Sequence, residues 1–164
     1  MGASIILRER QRGARMHVTV DTASVPVTAV RLNKASHLSI LKDGSCKRVC
    51  DYLLIYALDG ENSAVFVELK KTLSDERKAK EKLRRSLPFL EYLRSVCAVE
   101  FGKETTNSRI SIRYFRIGEK LSARLDKQSV RVGPNRVFRR EEYENITINA
   151  VLGPRVALAT LSRA

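Results

Sequence analysis

Residues 49–71 read VCDYLLIYALDGENSAVFVELKK. Two apolar runs flank Asp59-Gly60, a dipeptide suited to the positive backbone angles of a two-residue hairpin turn. Residues 51–58 and 64–70 are therefore expected as paired antiparallel strands. Side chains alternate faces along a strand. Asp51, Leu53 and Ile55 then share one face, as do Phe66, Glu68 and Lys70. With a two-residue turn, Leu58 pairs with Glu61 and Asp51 falls opposite Glu68, with Cβ atoms about 5 Å apart. Carboxylates that close repel each other, and a divalent cation between them removes the repulsion. An oxygen-rich site with few protein ligands suits Mg²⁺ or Mn²⁺, and the backbone carbonyl of Leu69 adds a ligand. Lys70 points to the same side, where it can orient or deprotonate a water and stabilise charge on a phosphate.

The flanking sequence extends this hairpin. Asp43-Gly44 signals a turn after a short strand at 37–41, which makes a three-strand antiparallel meander. A helix is expected over 73–97, capped by Thr72 or Ser74. Leu73, Ala79, Leu83, Leu87, Leu90 and Leu93 form its apolar stripe, and Pro88 is expected to kink or divide it. RISIRYFRIG (109–118) reads as a further strand. Residues 4–16 read as a strand or a short helix. The Val/Thr-rich stretch 17–32 holds strand-like pieces, confined by Pro26 to an edge or a strand start. Residues 155–164 read as a strand or a short helix. No linker interrupts the chain, so one α+β domain over 1–164 is expected.

Lys and Arg outnumber Asp and Glu by 31 to 18 in the 164 residues, a net charge of +13. That excess favours a polyanionic partner, DNA or RNA before an anionic membrane. Cys46, Cys50 and Cys97 are an odd set without the second close pair that a zinc site or disulfide framework needs. Free thiols of a cytoplasmic protein are the expected state. No apolar run is long enough to span a membrane, and Ile5 to Leu7 is too short for a signal-peptide core. His17 and His37 read as ordinary strand residues.

CDYLLIYALDGENSAVFVELKK followed by a basic helix resembles the PD-(D/E)xK nuclease superfamily. In that family the Asp begins the second core strand and Glu-x-Lys lies on the third. The resemblance covers about half the chain. It implies a restriction-endonuclease-like core: a mixed sheet with a three-strand meander, a helix and a further strand, flanked by helices. It also implies metal-dependent cleavage of nucleic acid, usually DNA. Asp51 and Glu68 match the metal-binding positions, with the Leu69 carbonyl, and Asp51, Glu68 and Lys70 match the catalytic ones. The chain departs from the family pattern at three places. Cys50 stands where Pro is common, Lys80-Glu81-Lys82 where a helix Gln is common, and Glu9 is the only acid near the N-terminus, where members carry one on a helix.

Lys47, Arg48, Lys71, Lys78, Lys82 and Arg85 are expected to contact the phosphate backbone. Arg109, Arg113 and Arg116 alternate with Tyr114 and Phe115, a pattern that can stack bases. A chain this short leaves little room for a target-recognition domain, so a homodimer or a place in a larger complex is expected. The competing expectation is a non-catalytic scaffold of the same shape that binds nucleic acid or a partner protein.

Overall fold

The computed structural model describes residues 3–11, 14–33, 48–73, 77–102, 109–121, 129–132, 134–143 and 146–163. The chain is α+β. The expected strand at 37–41, the Asp43-Gly44 turn, Ser74, His37 and Cys46 lie outside the described residues.

The hairpin forms as expected. Strand β4 (Tyr52–Leu58) pairs with β5 (Glu61–Leu73) in the register Leu58↔Glu61 to Tyr52↔Val67. Asp59 and Gly60 join them with φ of 52° and 80°, the two positive angles of a type I′ turn. β3 (Val27–Arg31) is the outer strand of the meander and runs antiparallel to β4. The position assigned to 37–41 is thus taken by an earlier segment, beginning directly after Pro26. Proline lacks a donor, and at a strand start on a sheet edge none is missed.

From β5 the chain crosses through α1 (Arg77–Phe101) to β6 (Ile110–Leu121), which lies parallel to β5. β7 (Ser129–Val132), β8 (Asn135–Tyr143) and β9 (Ile146–Leu152) complete a seven-stranded mixed sheet in the order β3-β4-β5-β6-β9-β8-β7. Thr72 and Leu73 belong to β5 and not to the helix, and α1 runs through Pro88 as one element. Among the described residues no helix precedes the meander. β1 (Ser4–Gln11) and β2 (Ala14–Asp21) form a hairpin instead, and the short β10 (Arg155–Ala157) adds in parallel to β2. α2 (Leu158–Arg163) follows β10.

The large sheet is therefore covered differently on its two faces, by α1 on one and by the small sheet with the short α2 on the other. Ala64, Phe66 and Tyr114 meet Ala79, Leu83 and Leu90 of α1. Val65, Val67, Leu69 and Phe115 meet Leu7, Val18 and Val20 of the small sheet, with Leu158 and Leu161 of α2. Burial on both faces explains why β4 and β5 read as nearly continuous apolar runs. Tyr114 and Phe115 are wholly buried, so the expected base-stacking platform is core.

Gly118 sits where β6 passes Leu73, and a Cβ there would lie 2.5 Å from Leu73 Cγ. Leu73 is itself buried and cannot swing into solvent. Gly118→Ala should cost about 1–3 kcal/mol through overpacking. A lower urea midpoint at unchanged slope is the expected reading.

Among the described residues no helix is long and apolar enough to cross a membrane. Tyr92, Val96, Val99 and Phe101 are exposed on the distal half of α1.

Candidate active site

The site begins where the β4–β5 register ends, at Tyr52↔Val67. Asp51 stands one residue before β4, and its N–H donates to Val67 O at 3.0 Å. That carbonyl already lies opposite Tyr52, so Asp51 and Tyr52 both face Val67 and the regular pairing ends there. The Asp51 carboxylate nonetheless lies close enough to Glu68 to feel its charge. The Asp51 side chain then takes over where the backbone of β4 departs from the sheet. Oδ2 accepts the Leu69 N–H at 2.8 Å, and Oδ1 accepts Asn33 Nδ2 at 2.6 Å. Strand residues point their N–H and C=O to the same side. The Leu69 carbonyl is therefore directed towards Asp51. Arg31 Nε in turn donates to Asn33 Oδ1 at 3.2 Å, which fixes the amide's orientation.

Asp51 is 2 % exposed and Glu68 1 %. Burial first, and then the neighbouring Glu68 carboxylate, push the Asp51 pKa up to about 7, against the pull of the Leu69 N–H. Glu68 Oε1 receives two ammonium groups: Lys70 Nζ at 2.7 Å and Lys82 Nζ. Glu68 Oε2 is buried and has no hydrogen-bond partner among the described residues. Burial lowers the Lys70 pKa, but the Glu68 carboxylate more than reverses this, and the net shift is upward. Lys70 is therefore a cation at neutral pH, suited to donating rather than to accepting a proton.

Glu9 reaches the same place from the other sheet. Tyr52 Oη accepts from Arg8 N and donates to Arg8 O, both at 2.8 Å, and so satisfies the free edge of β1 and holds it over β4. The next residue, Glu9, is 8 % exposed. Its pKa is raised by burial and senses Lys70, Glu68, Lys82 and Arg31. Arg116 lies next to Glu68 in the β5–β6 register and is 3 % exposed.

The expected residues thus divide. Asp51, Glu68, Leu69 and Lys70 are brought together. Lys82, expected on a phosphate-facing surface, lies inside the site against Glu68 because α1 packs over the end of β5. Arg85 binds Glu81 Oε1 at 2.6 Å. Arg48, Lys71 and Lys78 are exposed, as a phosphate contact needs, while Lys47 lies outside the described residues. Sequence reasoning missed Asn33, assigned Arg116 to a base-stacking pattern and undervalued Glu9. Asn33 had one signal, an amide two residues beyond a strand end, which is too common to single it out.

Whether a divalent cation suits these residues can be read from the donors. Two carboxylates, one of them with an orphaned buried oxygen, and a directed carbonyl form an oxygen-only set. Among the described residues no group of three or more His, Cys, Asp or Glu side chains is placed to hold a metal ion. A two-carboxylate set fits Mg²⁺, which keeps several waters and shares its remaining positions with a phosphate. Cys50 is buried, its thiol pKa pushed up by burial, and it adds no reactive sulfur. Compared with known proteins, the chain matches no family model, no curated protein and no solved structure.

Proposed function

We propose that this chain is a cytoplasmic, single-domain, metal-dependent nuclease with a restriction-endonuclease-like core that hydrolyses DNA phosphodiester bonds. One observation carries the reading: two buried carboxylates, Asp51 and Glu68, are neighbours where β4 and β5 separate, with Lys70 on Glu68 and an orphaned Glu68 oxygen beside them. Buried carboxylate oxygens are normally hydrogen-bonded, so an unmet one beside a second carboxylate supports a place for a cation. The order of meander, crossover helix and parallel strand supports the same reading.

Asp51, Glu68 and the Leu69 carbonyl would hold Mg²⁺ or Mn²⁺. Such an ion supplies Lewis-acid stabilisation of the charge that develops on the phosphate. Lys70, held protonated by Glu68, donates to the attacking water or to a non-bridging phosphate oxygen. Asn33 and the Leu69 N–H fix the Asp51 carboxylate in position, as supporting groups do around metal ligands. Arg48, Lys71 and Lys78 supply sequence-independent attraction to the backbone, consistent with the +13 charge. The exposed apolar residues of distal α1 give a surface for a second copy of the chain or a partner subunit.

The test is incubation of the purified protein with plasmid and single-stranded DNA in Mg²⁺, in Mn²⁺ and in EDTA. Cleavage confined to the metal-containing reactions is expected. Absence of cleavage in all three sinks the enzyme reading. DNA binding retained without cleavage would assign the chain as a non-catalytic scaffold.

A further inference from the structure

Lys82 does something that the reading above does not use. Its ammonium shares Glu68 Oε1 with Lys70, although a single lysine would balance that carboxylate. Lys82 comes from α1 and its side chain is 21 % exposed, so the head group has a way out to solvent. Lys70 is two residues from Glu68 on the same strand face and is tied to it by the backbone.

The local charge is the deciding quantity. Among the described residues, Glu9, Asp51 and Glu68 face Arg31, Lys70, Lys82 and Arg116. Three carboxylates against four cations leave no net negative charge to draw in a divalent ion. A third cation arriving at Glu68 also meets two ammonium groups at close range, where the dielectric is low. An incoming phosphate changes both conditions. It brings negative charge, and it offers an ammonium a new anionic partner.

We propose that Lys82 couples metal binding to nucleic-acid binding: it holds the cation's place on Glu68 until a backbone phosphate draws its ammonium away. This rests on the nuclease reading and deepens it. The metal-free protein then loads an ion more weakly without substrate than with it. Metal and DNA each strengthen the binding of the other by the same factor, as linkage requires. Lys82 is the residue that carries that factor.

The experiment titrates Mn²⁺ into the full-length protein and reads free Mn²⁺ by electron paramagnetic resonance. Each titration is run alone and with a short phosphorothioate DNA duplex, checked to be intact at the end. Glu68→Gln with the same duplex sets the background of ions bound by DNA. In the wild type, the duplex should tighten Mn²⁺ binding about tenfold or more, within the range of ordinary coupling. Lys82→Met keeps the aliphatic stem and removes the charge. It should bind Mn²⁺ about tenfold more tightly without DNA, and gain less than about threefold from the duplex. Lys82→Arg should keep wild-type coupling. Equal Mn²⁺ affinity of wild type and Lys82→Met in the absence of DNA overturns the coupling role and leaves the nuclease reading standing. A wild type that binds Mn²⁺ neither alone nor with the duplex overturns the metal-dependent reading, and this role with it.

Discussion

Glu68→Gln is expected to reduce cleavage at least about 10³-fold while DNA affinity is kept or rises. The catalytic loss is of the size seen when a charge that acts mainly in the transition state is deleted. The binding gain follows because Lys70 and Lys82 lose the anion that occupies them and become available to phosphate. Folding should survive. Neither ammonium is sealed in, with side-chain exposures of 36 % and 21 %, and both can reach water on flexible stems. Lys70→Met should lose about 10²–10³-fold in cleavage with little change in melting temperature. The two readouts separate the enzyme from the scaffold. Single-turnover cleavage reports the chemistry, and fluorescence anisotropy with the same duplex reports affinity. If Glu68→Gln cleaves like the wild type, any nuclease activity of the preparation comes from elsewhere.

What could be read from residues alone was what local chemistry fixes. The Asp59-Gly60 turn sets a register that holds as far as Tyr52↔Val67 without any long-range information, and Asp51 follows one residue later with its N–H on Val67 O. The apolar stripe of α1 was equally local, since Ala79, Leu83 and Leu90 repeat at helical spacing. Its start was misplaced because Thr72 and Leu73 continue β5, where Leu73 packs beside Gly118. A capping residue signals a helix start only if the preceding strand has ended.

The rest depended on non-local packing. The outer strand of the meander lies at 27–31, separated from β4 by a long insertion, so adjacency in sequence misdirected its assignment. β10 is three residues long and pairs with β2 from the other end of the chain. Nothing in its sequence announces that partner, yet the sheet it completes replaces a flanking helix and carries Glu9 to the site. Lys82 was expected to contact backbone phosphate and Arg116 to take part in base stacking, both on an open surface. Their burial beside Glu68 follows from α1 and β6 closing over the end of β5, which no spacing rule encodes.

Asp51→Asn is expected to move stability and activity in opposite directions. In the metal-free protein the Asp51 pKa is raised from 3.8 to about 7, chiefly by burial and then by Glu68. Between those values the folded chain holds a proton that the unfolded chain has released. Stability therefore falls as pH rises through that window, and the loss is complete above about pH 7. The full cost is on the order of 4 kcal/mol, at about 1.4 kcal/mol per pKa unit. Asparagine removes it but disturbs the hydrogen bonds. Its one carbonyl oxygen can keep the Leu69 N–H, while its NH₂ meets the NH₂ of Asn33. Asn33 must then turn its amide and give up the bond from Arg31, at about 1 kcal/mol. At pH 8 in EDTA the variant should be more stable than the wild type by about 3 kcal/mol. At pH 4.5 the advantage should vanish or reverse, because Asp51 is then protonated in the folded protein. Excess Mg²⁺ at pH 8 should raise the stability of the wild type by mass action and leave Asp51→Asn unchanged. Urea unfolding at the two pH values, with and without Mg²⁺, reads all four quantities. A variant less stable than the wild type at pH 8 in EDTA would mean that Asp51 is a satisfied strand-end cap and not a carboxylate awaiting a cation.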